Sequence, residues 1–138
     1  MSLLLDTHAL IWLLDGNERL GSKARALITQ AARTHSLYVS AITPWEIAML
    51  VSKERLAFTQ EVGVWLRAAL DVPGIQLLPL SMDISVASTQ LPGDFHADPA
   101  DRIIVASARQ MGATLVTADK LILAYSKAGH LKTQQAES

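Results

Sequence analysis

Short apolar runs alternate along this chain with longer stretches in which apolar and polar residues mix. Three runs are continuous and apolar, which is typical of parallel strands that are buried on both faces. They are SLLLD (2–6), SLYVSA (36–41) and ATLVT (113–117). PGIQLLPL (73–80) predicts a further strand that is entered through a Pro-Gly turn, and HLKTQ (130–134) predicts a weak last one. We expect the terminal residues, QAES, to be frayed.

Helical patterns fill the stretches between these runs. From Leu20 to Ala32 the apolar residues recur on one face. Further helices are predicted over THALIWLL, TPWEIAMLVSKERL, EVGVWLRAALD, DISVASTQL, DPADRIIVASARQM and ADKLILAYSKAG. Gly112 follows the fifth of these, as glycine commonly does just past a helix end. Strands that alternate with helices predict an α/β fold, a three-layer α/β/α sandwich around a central, mainly parallel sheet.

Composition narrows the class of protein without naming its chemistry. The 138 residues suit a single domain over 1–138, with 50% hydrophobic and 18% charged residues. The absence of cysteine excludes disulfides and thiolate-bound zinc, and it suits a reducing cytoplasm. No apolar run reaches the roughly 18 residues of a membrane helix, so we expect no membrane association. A net charge of −1 gives no indication of nucleic-acid binding, although a local basic patch would be enough for such binding.

Two acidic residues lie where a parallel sheet places its ligands. Asp6 ends the first strand, and Asp119 is the second residue after the ATLVT strand. Open α/β sheets bind ligands beyond the carboxyl ends of their strands, so both side chains are expected in one crevice. Each acid has a simpler alternative role, which is to cap the helix that follows it.

Two further acids lie where helices are predicted to begin. Asp98 precedes a proline, which is typical of an N-cap, and this places Asp101 at the third helical position. The same pattern in TPWE predicts Thr43 as the N-cap and Glu46 as its capping-box partner. On these grounds alone Glu46 is equally a cap or a site residue. Aspartate is short for a capping-box partner, so we interpret Asp98 as the cap and Asp101 as the site residue.

Carboxylates that converge in one cleft would require a cation. Two like charges about 4 Å apart repel by roughly 4 kcal/mol at an effective dielectric constant near 20. Oxygen ligands, with no cysteine and no clustered histidine, favour Mg²⁺ or Mn²⁺ over zinc. The resulting hypothesis is metal-dependent hydrolysis of a phosphodiester. One alternative is a phosphatase with an aspartyl nucleophile, which His8 disfavours by occupying the usual place of a second aspartate. Another is a non-catalytic protein-binding module whose acids only cap helices.

Four segments carry a resemblance to a known family. They are LLLDTHALIWLL, YVSAITPWEIAMLVSKERL, DFHADPADRIIVASAR and ATLVTADKLI. In this order and spacing they resemble the PIN-domain ribonucleases, in particular the VapC toxins of bacterial toxin–antitoxin pairs. The resemblance extends from the N-terminus to about residue 130. It implies an endoribonuclease that depends on Mg²⁺ or Mn²⁺ and is inhibited by a small antitoxin, and we also expect a homodimer.

The resemblance assigns the metal site residue by residue. Its catalytic acids correspond to Asp6, Glu46, Asp101 and Asp119. Supporting positions, which would act through a water or a hydrogen bond to a ligand, are Asp98, Thr117 and Thr7.

Basic and aromatic residues receive weaker assignments. Arg102 and Lys120 each follow a site acid and are candidates for phosphate contact, although solvated surface charge is the default interpretation. Other candidate RNA contacts, which no spacing argument gathers into one patch, are Lys53, Arg55, Arg19, Lys23, Arg25 and Arg33. Core packing is the best interpretation of the three tryptophans, with a groove for a partner second; they are Trp12, Trp45 and Trp65.

Overall fold

The computed structural model describes all residues, Met1–Ser138, and contains one five-stranded sheet with every neighbouring pair parallel. The strands are β1 (Leu3–Leu5), β2 (Leu37–Ser40), β3 (Ile75–Leu78), β4 (Thr114–Thr117) and β5 (Thr133–Gln135). The helices are α1 (Thr7–Asp15), α2 (Ser22–Arg33), α3 (Ile42–Ser52), α4 (Val62–Leu70), α5 (Met82–Thr89), α6 (Pro99–Met111) and α7 (Lys120–Lys127). The predicted alternation of strands and helices is confirmed. None of these helices has the length and apolarity needed to traverse a bilayer.

Side chains of β1, the central strand, pack alternately into two hydrophobic cores on opposite faces of the sheet. Leu3 and Leu5 pack into a cluster that contains residues of α1 and α2. Leu4 points to the other face, where it packs with residues of α6 and α7. Side chains of a strand alternate between its two faces, and β1 is apolar at every position. The sheet is therefore covered on both sides, which gives the predicted three-layer sandwich.

Strand order places a crevice beside β1. The order is β3-β2-β1-β4-β5, so the chain builds outward from β1 on one side and then returns to add β4 on the other. Leu5 pairs with Val39 and with Val116, and the residue that follows it is Asp6. Crevices in open parallel sheets form where the strand order reverses. Asp6 is therefore at the switch point of this sheet.

The start of α3 differs from the capping box that the sequence predicted. The helix begins at Ile42, whose N–H donates to the Ser40 hydroxyl oxygen at 3.1 Å. Thr43 is buried inside the first turn, and its hydroxyl oxygen lies 3.5 Å from that of Thr7. Proline is tolerated at position 44 because first-turn N–H groups have no partner within the helix. The prediction of Thr43 as cap is wrong, and Glu46 lies beyond the first turn, where it is free for another role.

The terminal residues are docked and not frayed, which corrects the sequence-based expectation. Ala136 is buried, and its N–H donates to the Thr117 carbonyl oxygen at 2.8 Å. Its own carbonyl oxygen accepts from Gly21 N–H at 2.8 Å, and the Ala24 N–H donates to a Ser138 oxygen at 3.0 Å. No side chain caps α2, so the tail supplies acceptors that its first turn lacks.

The tryptophans divide between core and surface. Trp12 is only 7% exposed and belongs to the core, and Trp65 stacks on Phe58 with ring centroids 4.2 Å apart. These two positions agree with the prediction of core packing. Trp45 is 53% exposed, so the same prediction is wrong there. The buried residues of α3 are Thr43 and Ile47 instead.

Candidate active site

A cleft of about 400 Å³ opens at the carboxyl edge of the sheet, next to the switch point. Five carboxylates line it, and they include all four acids predicted from the sequence. They are Asp6, Glu46, Asp98, Asp101 and Asp119. Four different elements of the fold deliver these side chains to one place, as the parallel topology predicted.

Asp6 and Asp119 are helix caps and cleft residues at once. Asp6 is the N-cap of α1, and its Oδ1 accepts from Ala9 N–H at 2.8 Å. Asp119 caps α7 and accepts from Leu121 N–H at 2.9 Å. Thr117 connects the pair, because its hydroxyl bonds to the Asp6 carboxylate and its oxygen accepts from Asp119 N–H at 3.0 Å. The sequence left cap and site as rivals at these positions, whereas the structure combines them.

Glu46 reaches the cleft from α3 and is held by a threonine of α1. The buried Thr7 hydroxyl donates to Glu46 Oε1. That hydroxyl also lies near the one of Thr43, so α1 and α3 meet through polar side chains below the cleft. Thr7 therefore has the position predicted for it, beside a candidate ligand.

Asp98 is closer to the proposed metal site than the sequence indicated. Its Oδ1 accepts from Asp101 N–H at 3.1 Å, which confirms its prediction as the cap of α6. Single oxygens of Glu46, Asp98 and Asp101 also lie within 4.8 Å of one another, a spacing that one metal ion could bridge. Asp98 thus belongs to one group with Glu46 and Asp101, two of the predicted ligands.

Burial and mutual repulsion destabilise the ionised carboxylates. Burial raises the pKa of Asp6 to about 6, although the bonds from Thr117 and Ala9 oppose the change. Burial also raises the pKa of Asp101 to about 7, with further contributions from the charges of Asp98, Asp119, Glu46 and Asp6. A cation would remove this repulsion, and the carboxylate oxygens suit a hard divalent ion. The residues present therefore fit a metal site.

His96 is a site neighbour that sequence reasoning did not select. Its Nε2 lies 3.2 Å from Asp101 Oδ2, and its Nδ1 accepts from Asp98 N–H at 3.4 Å. The proximity of Nε2 to Asp101 is not a hydrogen bond, and the buried Nε2 has no hydrogen-bond partner. The available signal was its place in the loop immediately before two site acids.

Arg102 has a structural role and does not face the cleft as a phosphate ligand. Its guanidinium donates to the carbonyl oxygens of Ser88, Phe95 and His96 at 2.8, 3.0 and 3.1 Å. These bonds fix the loop that leads into α6. Neither sequence-based role, phosphate contact or solvated surface charge, describes it.

Five residues outside the acidic set also line the cleft, namely Thr7, His8, Trp12, Arg19 and Ala118. His8 is exposed there, as expected for a residue on the surface of α1. Trp12 and Arg19 lie beside it, with the Arg19 guanidinium carbon 4.4 Å from the centre of the Trp12 ring. Sequence reasoning considered Arg19 among six basic residues but had no way to place it at this edge.

The family follows from a match over most of the chain. Residues 3–128 match the model of the PIN domain. The chain belongs to the PIN-domain family. A curated relative, Ribonuclease VapC22 of Mycobacterium tuberculosis, is 32% identical over 119 residues, which cover 86% of this chain and 88% of that protein. The resemblance noted in the sequence is confirmed, and in this PIN domain the matched range includes all five cleft acids.

Solved structures confirm the fold at low sequence identity. VapBC2 from Rickettsia felis, bound to a DNA fragment from its promoter, matches 97% of this PIN domain and 98% of its own chain at a TM-score of 0.70 and 17% identity. DNA-bound VapBC from Salmonella typhimurium gives 0.68 at 14% identity, with 97% of both chains covered. FitAcB from Neisseria gonorrhoeae gives 0.64 at 22% identity, also with 97% of both chains covered.

Proposed function

We propose that this PIN domain is a toxin-type endoribonuclease, which hydrolyses RNA phosphodiester bonds with Mg²⁺ or Mn²⁺ held by its carboxylates. The observation that carries the proposal is the group formed by Glu46, Asp98 and Asp101, whose oxygens approach one another within 4.8 Å. Asp6 and Asp119 line the same cleft. The 32% identity to a ribonuclease over most of the chain supports RNA as the substrate.

Each carboxylate of the cleft has a task in this proposal. Glu46, Asp98 and Asp101 would hold the cation directly, and Asp6 and Asp119 would complete the acidic wall. A cation bound there would offset the charge of the phosphodiester and lower the pKa of the attacking water. A histidine is not required as a general base, because the bound divalent cation would itself lower the pKa of that water.

Hydroxyl groups behind the acids keep their oxygens in place. Thr7 orients Glu46, and Thr117 fixes both Asp6 and the backbone of Asp119. Such outer hydrogen bonds typically change metal affinity by about 10–100-fold.

The proposal includes a protein partner. We propose that a small antitoxin binds this chain and blocks RNA cleavage, and that the chain forms a homodimer in the cytoplasm. Support comes from structural neighbours that include DNA-bound VapBC proteins and a toxin-antitoxin complex from Klebsiella pneumoniae. The test is to co-express the chain with the small protein of an adjacent reading frame. Co-purification with loss of RNase activity is expected, and undiminished activity in the complex would contradict this part.

The metal test uses purified protein and a labelled single-stranded RNA. Mg²⁺ or Mn²⁺ should support internal cleavage, and EDTA should abolish it. Asp6→Asn should abolish cleavage while keeping the fold, because asparagine retains the oxygen that accepts from Ala9 N–H. Asp94→Asn removes the same charge from an exposed loop position and should cleave normally. Cleavage that survives chelation, or an Asp6→Asn protein with full activity, would refute the mechanism.

A further inference from the structure

Arg19 is the only lysine or arginine among the residues that line the acidic cleft. Its guanidinium lies over Trp12, with the central carbon 4.4 Å from the ring centre. A planar guanidinium stacks well on an indole face, which restricts its orientation. Trp12 is itself 7% exposed and packed in the core, so the stacking surface is fixed.

The loop that carries Arg19 is held firmly by its own hydrogen bonds. The Arg19 N–H donates to Asn17 Oδ1 at 2.9 Å. The Arg25 side chain donates to the carbonyl oxygens of Asn17 and Leu20, at 2.6 and 2.9 Å, and so ties the loop to α2. Backbone and ring together therefore present the guanidinium at a defined place on the cleft wall.

The Arg19 side chain is nevertheless open to solvent. It is 61% exposed, and its one ionic partner is Glu137, at 3.6 Å from Nε and 45% exposed. Exposed ion pairs of this kind are weak, so the contact with Glu137 leaves the Arg19 guanidinium able to bind another anion. The edge of the guanidinium stays available while its face rests on Trp12.

We infer that Arg19 binds a phosphate of the single-stranded RNA that enters the cleft, an inference that rests on the proposed nuclease function. RNA is a polyanion, and its approach to five carboxylates is opposed by their charge. A stacked guanidinium offers paired N–H donors that match phosphate oxygens. The contact is to the backbone, so it positions the strand and reads no sequence.

A purely structural role for Arg19 makes a different prediction. In that case Arg19 would serve to secure the tail through Glu137. The tail already has backbone bonds from Gly21 and Ala24, so Glu137 is not needed to hold it. Glu137 instead competes with phosphate for the same guanidinium. Glu137→Gln should therefore bind RNA at least as tightly as the wild type.

The experiment measures binding of fluorescently labelled single-stranded RNA in EDTA, over a range of salt concentrations. Arg19→Gln should bind about fivefold more weakly, and the slope of log affinity against log salt should fall by about 0.7, the value for one phosphate contact with a single strand. The loss should be equal for RNAs of different sequence. Arg19→Lys should keep the slope because it keeps the charge. In Mg²⁺, Arg19→Gln should raise KM and leave kcat unchanged.

The control is Arg33→Gln, which removes the same charge from an exposed position at the far end of α2. Binding by Arg19→Gln that equals binding by Arg33→Gln would overturn the inference. So would equal losses of RNA affinity in Arg19→Gln and Glu137→Gln, since those indicate a tail anchor. A wild-type protein that neither binds nor cleaves RNA would overturn the nuclease proposal as well. Cleavage by the wild type together with normal binding by Arg19→Gln overturns the Arg19 inference alone.

Discussion

The charge of ionised Asp101 destabilises the metal-free fold. Replacing Asp101 by asparagine should therefore raise the free energy of unfolding, and the size of the increase measures this effect. The pKa of Asp101 rises from 3.8 to about 7, first through burial and then through the neighbouring carboxylates. A tenfold change in proton affinity corresponds to about 1.4 kcal/mol, so the upper bound at pH 8 is about 4 kcal/mol. Neighbouring acids share protons, and the cleft is open to water, so we expect Asp101→Asn to gain about 2 kcal/mol.

The dependence on pH follows from where the protons are bound. An unfolded aspartate loses its proton near pH 4, whereas folded Asp101 keeps it up to about pH 7. The folded state therefore binds more protons in this window, and wild-type stability falls as pH rises through it. The advantage of Asp101→Asn should grow from near zero at about pH 4 to its full size above about pH 7.

Thermal melts in EDTA provide the measurement. At pH 8 the Tm of Asp101→Asn should exceed that of the wild type by about 6 °C. Asp94→Asn is the matched control, because it makes the same exchange at an exposed position and should change stability by less than about 0.5 kcal/mol. Saturating Mg²⁺ should reverse the order, since it stabilises the protein that binds it better. An Asp101→Asn protein that melts at or below the wild-type Tm in EDTA at pH 8 would refute the repulsion argument.

Three further substitutions test other parts of the structure. Thr7→Val removes the donor to Glu46 and should weaken Mn²⁺ binding about tenfold in calorimetry without unfolding the protein, so unchanged affinity would count against this support. Gly21→Ala places a β-carbon 2.1 Å from the Ser138 carbonyl carbon. The free energy of unfolding should fall by about 2 kcal/mol, and proteolysis of the tail should become faster. A Tm equal to that of the wild type would show that the tail is not docked. Arg102→Lys keeps the charge but loses carbonyl bonds, and a loss of about 2 kcal/mol in urea melts is expected, while no loss would contradict its role as a clamp.

The fold and the convergence of the acids were accessible from the sequence because both follow local rules. Apolar runs of strand length that alternate with helical patterns specify a parallel sheet. Asp6 and Asp119 end or follow strands of that sheet, and Asp98 and Asp101 flank a proline at a helix start. These positions fix the direction of each side chain relative to the sheet edge. The metal-binding and catalytic roles of the acids stay predictions.

Features that depend on distant contacts were not accessible. Thr43 matched a capping box locally, but α3 starts earlier because Ser40 accepts the Ile42 N–H. Asp98 was predicted as a cap with only a supporting role at the site, because no local rule shows that α3 brings Glu46 beside it. No local pattern in QAES predicts that the Ala136 N–H donates to the Thr117 carbonyl oxygen. In each case the partner is remote in the chain or the choice depends on packing.

The distance along the chain between the first and last cleft acids has a consequence for biosynthesis. Asp6 and Asp119 are separated by about 110 residues, and β1 cannot pair with β4 until the latter has been synthesised. At about 5–20 residues per second, several seconds pass between translation of the two acids. A nascent chain on the ribosome therefore has no complete cleft until β4 and Asp119 have emerged.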